Sequence, residues 1–122
     1  SGNPYIAYSD HGFGGRAAVL GFTSGAWNLV GSGGLSNGLP NAIQIAFDSG
    51  GTPYIAYADS FLSKEVVLKF ASGSWASVGP SGGFSVSSST YSSFAMDPVT
   101  GEPATTYFDS VLGHAAVREW AP

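Results

Sequence analysis

The chain contains no cysteine and few charged residues. Its 122 residues include four Lys or Arg and eight Asp or Glu, which give a net charge of −4. The absence of Cys excludes a disulfide framework, a Cys-ligated zinc site and a thiol nucleophile. With so few basic residues, we expect neither nucleic acid nor an anionic membrane surface as a partner. No apolar run approaches the roughly 18 residues of a membrane span, so we expect no membrane insertion.

Apolar and aromatic residues are abundant, and so are Gly and Pro. Apolar residues make up 43% of the chain and aromatic residues 14%, alongside 18 Gly and 7 Pro. A disordered linker has few aromatic residues, so this composition predicts a folded core with many turns. The chain does not begin with Met and shows no signal peptide, so we expect a processed product or a segment of a longer protein.

One pattern recurs three times along the chain. It reads PYIAYSD at residues 4–10, PYIAYAD at 53–59 and PATTYFD at 103–109. Further blocks follow in register and place Trp27 at the same repeat position as Trp75. Recurrence of whole ordered blocks is the signature of a repeat architecture. We divide the chain into repeats at 1–41, 42–90 and 91–122.

Each complete repeat contains four short segments with strand character, separated by turns. The turns hold Gly and Pro, and the pairs Ser24-Gly25 and Ser72-Gly73 are typical of tight hairpins. No window has the apolar spacing of a helix. We predict an all-β chain of about ten antiparallel strands, arranged as roughly two and a half four-stranded β-propeller-type blades. A β-sandwich or a solenoid of the same hairpins is the alternative architecture.

The repeat frame leaves sheet edges unpaired at both ends of the chain. The first repeat lacks its first strand and the last repeat lacks its fourth, whereas a propeller ring closes with about four to eight complete blades. We expect either further repeats of a longer chain or association of several copies through the exposed edges. Such association would give an oligomer or a filament.

The repeat consensus reads PYIAYxD followed by VLxF, GxW, VG and FDxxGxP. This consensus resembles propeller-like repeats of large secreted and cell-surface proteins of bacteria and some algae. The resemblance spans nearly the whole chain and implies repeat architecture and a secreted or cell-surface location. Proteins with such repeats serve adhesion, envelope structure and glycan binding, so the resemblance assigns no functional residue.

Asp10, Asp59 and Asp109 recur at the end of the second strand of each repeat. A ring of carboxylates at this position would bind calcium or sugar hydroxyls. The alternative, which we favour, is that each carboxylate caps the following turn by accepting hydrogen bonds from backbone N–H groups.

Aromatic and apolar side chains form a second set of candidate ligand contacts. Trp27 and Trp75, with Trp120 at an aromatic position of the third strand, offer flat faces for sugar rings, although packing between repeats explains their positions better. The loop after each Asp differs between repeats and carries Phe13, Phe61 and Leu62. Variable loops on a repeated scaffold are where ligand contacts are expected.

The sequence shows no catalytic, cofactor-binding or metal-binding motif. His11 and His114 occupy different repeat positions, and no Ser lies in a GxSxG motif. We therefore predict no enzyme activity, no cofactor and no metal. The first hypothesis is a structural or adhesive repeat segment that self-associates through its sheet edges. The second is a carbohydrate-binding lectin of β-propeller type with shallow sites between repeats and glycans as its partners.

Overall fold

Ten short antiparallel strands make up the computed structural model, which describes residues 2–80, 82–85 and 88–120. The strands are β1 (Tyr5–Asp10), β2 (Arg16–Thr23), β3 (Ala26–Leu29), β4 (Pro40–Phe47), β5 (Pro53–Asp59), β6 (Lys64–Ala71), β7 (Ser74–Ser77), β8 (Ser89–Met96), β9 (Pro103–Asp109) and β10 (His114–Glu119). Helix in these ranges is limited to a 3-10 turn at His11–Phe13. No helix of the described residues is long and apolar enough to cross a membrane.

The strands form three separate sheets in chain order. The first sheet contains β1-β2-β3, the second β4-β5-β6-β7 and the third β8-β9-β10, with each strand paired to its neighbour in sequence. The prediction of an all-β chain with ten antiparallel strands is therefore confirmed. Their arrangement as propeller blades and the repeat boundaries at 1–41, 42–90 and 91–122 stay predictions.

Tight turns connect the outer strands of the first two sheets. Ser24 and Gly25 have φ values of 53° and 79°, and Ser72 and Gly73 have 53° and 81°. A two-residue hairpin of type I′ needs positive φ at both central positions, because only that geometry matches the twist of the flanking strands. These Ser-Gly pairs therefore fix the register that places Phe70 opposite Trp75.

The first strand of the second sheet begins earlier than the repeat pattern predicts. We expected it at Ala42, but β4 begins at Pro40. The pairing with β5 shifts register between Asn41 and Gln44, and Ala42 has a φ of 52°. An extra residue in one strand interrupts the alternation of side chains without ending the strand. Because of this bulge, the alternating pattern that starts after it does not extend back to the first two residues of β4.

The hydrophobic core lies at two junctions between neighbouring sheets. Because side chains alternate along a strand, Ile55 and Tyr57 of β5 face the first sheet, while Tyr54 and Ala56 face the third. The first junction buries Ala17, Val19, Ile55, Tyr57, Val66 and Leu68, and the second buries Tyr54, Ala56, Val67 and Phe84. The second sheet is thus covered on both faces, and the first and third sheets are each covered on one.

Candidate functional site

An open groove of about 410 Å³ lies at the second junction, between the second and third sheets. Groups of three chemical kinds surround it: aromatic rings, two opposite charges and a backbone segment that includes a glycine. The lining residues are Tyr54, Lys69, Ser77, Val78, Gly79, Glu102 and Trp120.

Strand pairing positions each of the groove's main side chains. Tyr54 and Lys69 are direct cross-strand partners on β5 and β6, and the Lys69 ammonium stands 5.3 Å from the centre of the Tyr54 ring. Glu102 immediately precedes β9, and Trp120 immediately follows β10. The Trp120 backbone N–H donates to the Pro103 carbonyl over 3.0 Å, which holds the indole at this end of the third sheet.

The charged form of Lys69 is stabilised in the groove. A hydrogen bond with the Tyr54 hydroxyl is the main cause that raises the pKa of Lys69, followed by the electrostatic effect of the same Tyr54 group; burial opposes this rise, and the negative charges of Asp48 and Glu102 add smaller increases. The groove therefore presents an ammonium donor and a carboxylate acceptor beside the partly buried Trp120 ring.

The corresponding space at the first junction is filled. Trp75 lies over Gly31 there, where a Cβ atom would come within 3.0 Å of both the Trp75 and the Phe70 rings. The Trp75 indole N–H also donates to the Val30 carbonyl over 2.7 Å. Gly79 is the repeat equivalent of Gly31 at the second junction, and the nearest side chains to it are Phe84 and Trp120, at 3.3 Å from a Cβ atom placed there. The groove is therefore particular to the second junction within the described residues.

The Asp59 carboxylate accepts hydrogen bonds from backbone N–H groups of two different segments of the chain. Its side chain is 1% exposed and accepts hydrogen bonds from the N–H groups of Phe61 and Leu62 in the following turn. It also accepts from Asn37 and Gly38, in the segment that leaves the first sheet. The carboxylate therefore caps its own turn and also ties the first sheet to the second.

The other two recurrent aspartates have different surroundings. Asp109 is 3% exposed and accepts from the N–H groups of Val111 and Leu112, each over 2.9 Å. Asp10 accepts from the Gly12 N–H and from the Tyr8 hydroxyl, and both bonds lower its pKa, the Tyr8 bond more. Each carboxylate belongs to a different sheet, and the described residues contain no group of three or more potential His, Cys, Asp or Glu metal ligands.

The predicted aromatic contacts lie apart from the groove. Trp27 packs edge-on against Phe22 on the outer face of the first sheet and is 43% exposed. Phe13 covers Gly33, where a Cβ atom would overlap its ring. Phe61 projects into solvent with 78% of its surface exposed.

Leu62 lies in a second concavity. It lines a cavity of about 270 Å³ together with apolar side chains, among them Tyr57, Val66, Val78 and Phe84. The cavity's lining has no charged side chain, and its polar side chains are Asn37, Tyr57 and Ser77. Of the residues considered as ligand contacts, Trp120 lines the groove at the second junction and the others lie outside it.

Lys69 and Glu102 could not be identified from what the repeats share, because neither is common to all copies. Lys69 stands where the first repeat has Gly21, and Glu102 stands where the second has Thr52. The signal that could have identified them is that the residue type at each of these two repeat positions changes between copies: Gly21, Lys69 and Glu119 at one, Asn3, Thr52 and Glu102 at the other. Their packing side by side across two sheets could be read only from the structure.

A scan against protein-family models finds no match, and a search of the curated proteins also finds none. Among solved structures, the chain is similar to a fucose lectin from Kordia zhangzhouensis in complex with methyl-fucoside. The TM-score is 0.57 at 13% sequence identity, over 98% of this chain and 85% of the lectin chain. This likeness is one of fold, extending over nearly the whole of the chain.

Proposed function

We propose that the chain is a non-enzymatic carbohydrate-binding module whose sugar site is the groove at the second junction. The observation that carries the proposal is the meeting of the partly buried Trp120 ring with the opposite charges of Lys69 and Glu102 in one open concavity. The fold shared with a fucose lectin supports the same reading.

The chemistry of the groove suits a sugar ring. The apolar C–H face of a pyranose packs on an aromatic ring, and its hydroxyls both donate and accept hydrogen bonds. Glu102 accepts from hydroxyls and Lys69 donates to them, and charge-assisted hydrogen bonds are stronger than neutral ones. A volume of about 410 Å³ lies within the range of small-molecule sites, about 300–1,000 Å³.

The three sheets correspond, in this proposal, to successive blades of a propeller-type repeat. Stacking of one sheet face on the next, seen at both junctions, supports this arrangement. A sugar-binding module built this way acts outside the cell, on secreted or surface glycans. The structural or adhesive role is the second candidate, and the exposed apolar side chains Ile6, Leu29 and Val117 favour it.

Glycan-array screening followed by calorimetric titration tests the proposal. The wild-type chain is expected to bind at least one class of monosaccharide or its glycosides. Trp120→Ala and Glu102→Gln should each weaken that binding at least about tenfold, since each removes a contact worth about 1.4 kcal/mol or more. Trp27→Ala is the matched control, because it removes an exposed Trp outside the groove and should leave affinity unchanged. Absence of binding to any sugar, or equal loss in the control, would overturn the proposal.

A further inference from the structure

Two apolar sheet faces of the chain have no partner within it. The outward face of the first sheet exposes Ile6 at 46%, Trp27 at 43% and Leu29 at 43%. The outward face of the third sheet exposes Val117 at 74% and Phe108 at 43%. Exposed apolar patches of this kind mark interaction surfaces more often than ordinary surface.

The outward face of the first sheet repeats a face that is buried elsewhere in the chain. Strand alternation and pairing put Ile6, Tyr8 and Leu20 on this face. Their repeat equivalents in the second sheet are Ile55, Tyr57 and Leu68, identical in residue type, and all three are buried against the first sheet. The first sheet therefore presents to solvent the same surface that the second sheet buries at the first junction.

The outward face of the third sheet repeats the other half of that junction. Ala115 and Val117 of β10 occupy the positions of Ala17 and Val19 of β2. Ala17 and Val19 are each 0% exposed, because they pack against the second sheet. The chain thus carries both halves of one further junction on its opposite ends, and both halves keep the residue types of the buried example.

We propose that a second copy of this chain packs the outward face of its third sheet against the outward face of the first sheet. Ile6 of one copy would then meet Val117 of the other, as Ile55 meets Val19 within the chain. The contact is head to tail and joins faces, not strand edges, so each copy uses two different surfaces. It is independent of the sugar site, which lies at the second junction.

Sedimentation velocity at micromolar concentrations tests this contact. The wild-type chain should sediment at twice the monomer mass or more, and Ile6→Lys and Val117→Lys should each sediment as monomers, because a buried ammonium disrupts an apolar junction. Both sites are on the surface, so circular dichroism should show an intact fold. Val99→Lys is the control: it replaces an apolar residue that is 90% exposed in the β8–β9 turn, and it should assemble like wild type.

An equimolar mixture of the two disrupted variants separates this contact from a symmetric one. Ile6→Lys keeps an intact third-sheet face and Val117→Lys keeps an intact first-sheet face, so the mixture should recover a species of twice the monomer mass. A symmetric contact would gain nothing from mixing. A monomeric wild type, assembly of either single variant, or a mixture that stays monomeric would each overturn the proposal.

Discussion

Asp59 shows how a recurrent residue can serve the fold at two places at once. Its carboxylate joins the N–H groups of its own turn to those of Asn37 and Gly38 from the first sheet. Removing the carboxylate leaves N–H groups at a buried position without an acceptor. Each buried unpaired N–H group lowers the stability of the folded chain.

We therefore expect Asp59→Ala to lower the free energy of unfolding by about 2–4 kcal/mol. Urea denaturation followed by circular dichroism measures this change. Asp10→Ala is the matched control, because Asp10 occupies the same repeat position but has bonds only to Gly12 and Tyr8. Equal destabilisation by the two substitutions would show that Asp59 does not link the sheets.

Glu65 is a buried carboxyl in the second junction. Its side chain is 0% exposed, and neither carboxyl oxygen has a hydrogen bond of normal geometry. Ser92 and Thr105 also contribute buried hydroxyls to this junction. The equivalent positions at the first junction are Ala17, Ile43 and Ile55, so three apolar side chains of one junction are replaced together by polar ones in the other.

This burial makes stability depend on pH near neutrality. Burial raises the pKa of Glu65 to about 7 from an ordinary value of 4.5, against a smaller lowering by Ser92. Between these two values the folded chain holds more protons than the unfolded chain, so stability falls as pH rises. Each pKa unit corresponds to about 1.4 kcal/mol, which gives a loss of about 3 kcal/mol over the window.

Glu65→Gln should remove this slope. Urea midpoints measured from about pH 5 to about pH 8 are expected to fall for the wild type and to stay level for the variant. Glu119→Gln, at an exposed glutamate, should follow the wild-type profile. A wild-type midpoint that rises over this range would contradict the assignment of Glu65 as a neutral buried acid.

At the scale of elements, the outer strands depend on close contact between glycine and aromatic residues. Gly31 has a φ of 74°, and a Cβ atom there would approach Phe70 and Trp75 to 3.0 Å. Gly25 has a similar φ of 79° but open space around it. Substituting each of these two glycines therefore distinguishes the cost of backbone strain, present at both positions, from the cost of lost packing, present at Gly31 alone.

Gly25→Ala should cost about 1–2 kcal/mol of unfolding free energy, the ordinary penalty for an L side chain in the left-handed region. Gly31→Ala should cost more, because it also displaces Trp75 from the first junction. Thermal unfolding followed by tryptophan fluorescence reports both effects. Equal losses for the two variants would mean that Trp75 does not depend on the glycine beneath it.

The elements were predictable from sequence because each depends on local chemistry. Ser-Gly turns, alternating apolar residues and the repeated PYIAYxD block predict the ten strands, and bulges at Asn41–Gln44 and Thr90–Ser93 displace the starts of β4 and β8. The groove was not predictable, because Lys69 and Glu102 are 33 residues apart (102 − 69) and meet only where two sheets stack. Turn chemistry is encoded locally, whereas a site at a junction is encoded by the packing of distant strands.

At the scale of the whole molecule, the second sheet determines how the chain is held together. It is the one sheet of the described residues that buries both faces, and the two junctions it forms differ in kind. The first is apolar and closed by Trp75, whereas the second holds Glu65 inside and the open groove at its rim. Closed packing at one junction provides rigidity, and the second junction leaves room for a ligand.

The indole N–H signals of the three tryptophans give the most direct test of sugar binding at the second junction. In a two-dimensional ¹⁵N–¹H NMR titration with the sugar glycosides that bind on the array, the Trp120 indole signal is expected to shift and saturate. The Trp75 indole, bonded to Val30, and the exposed Trp27 indole should stay in place. Saturating shifts at Trp27 or Trp75 with Trp120 unchanged, or no shift with any glycoside, would contradict the account.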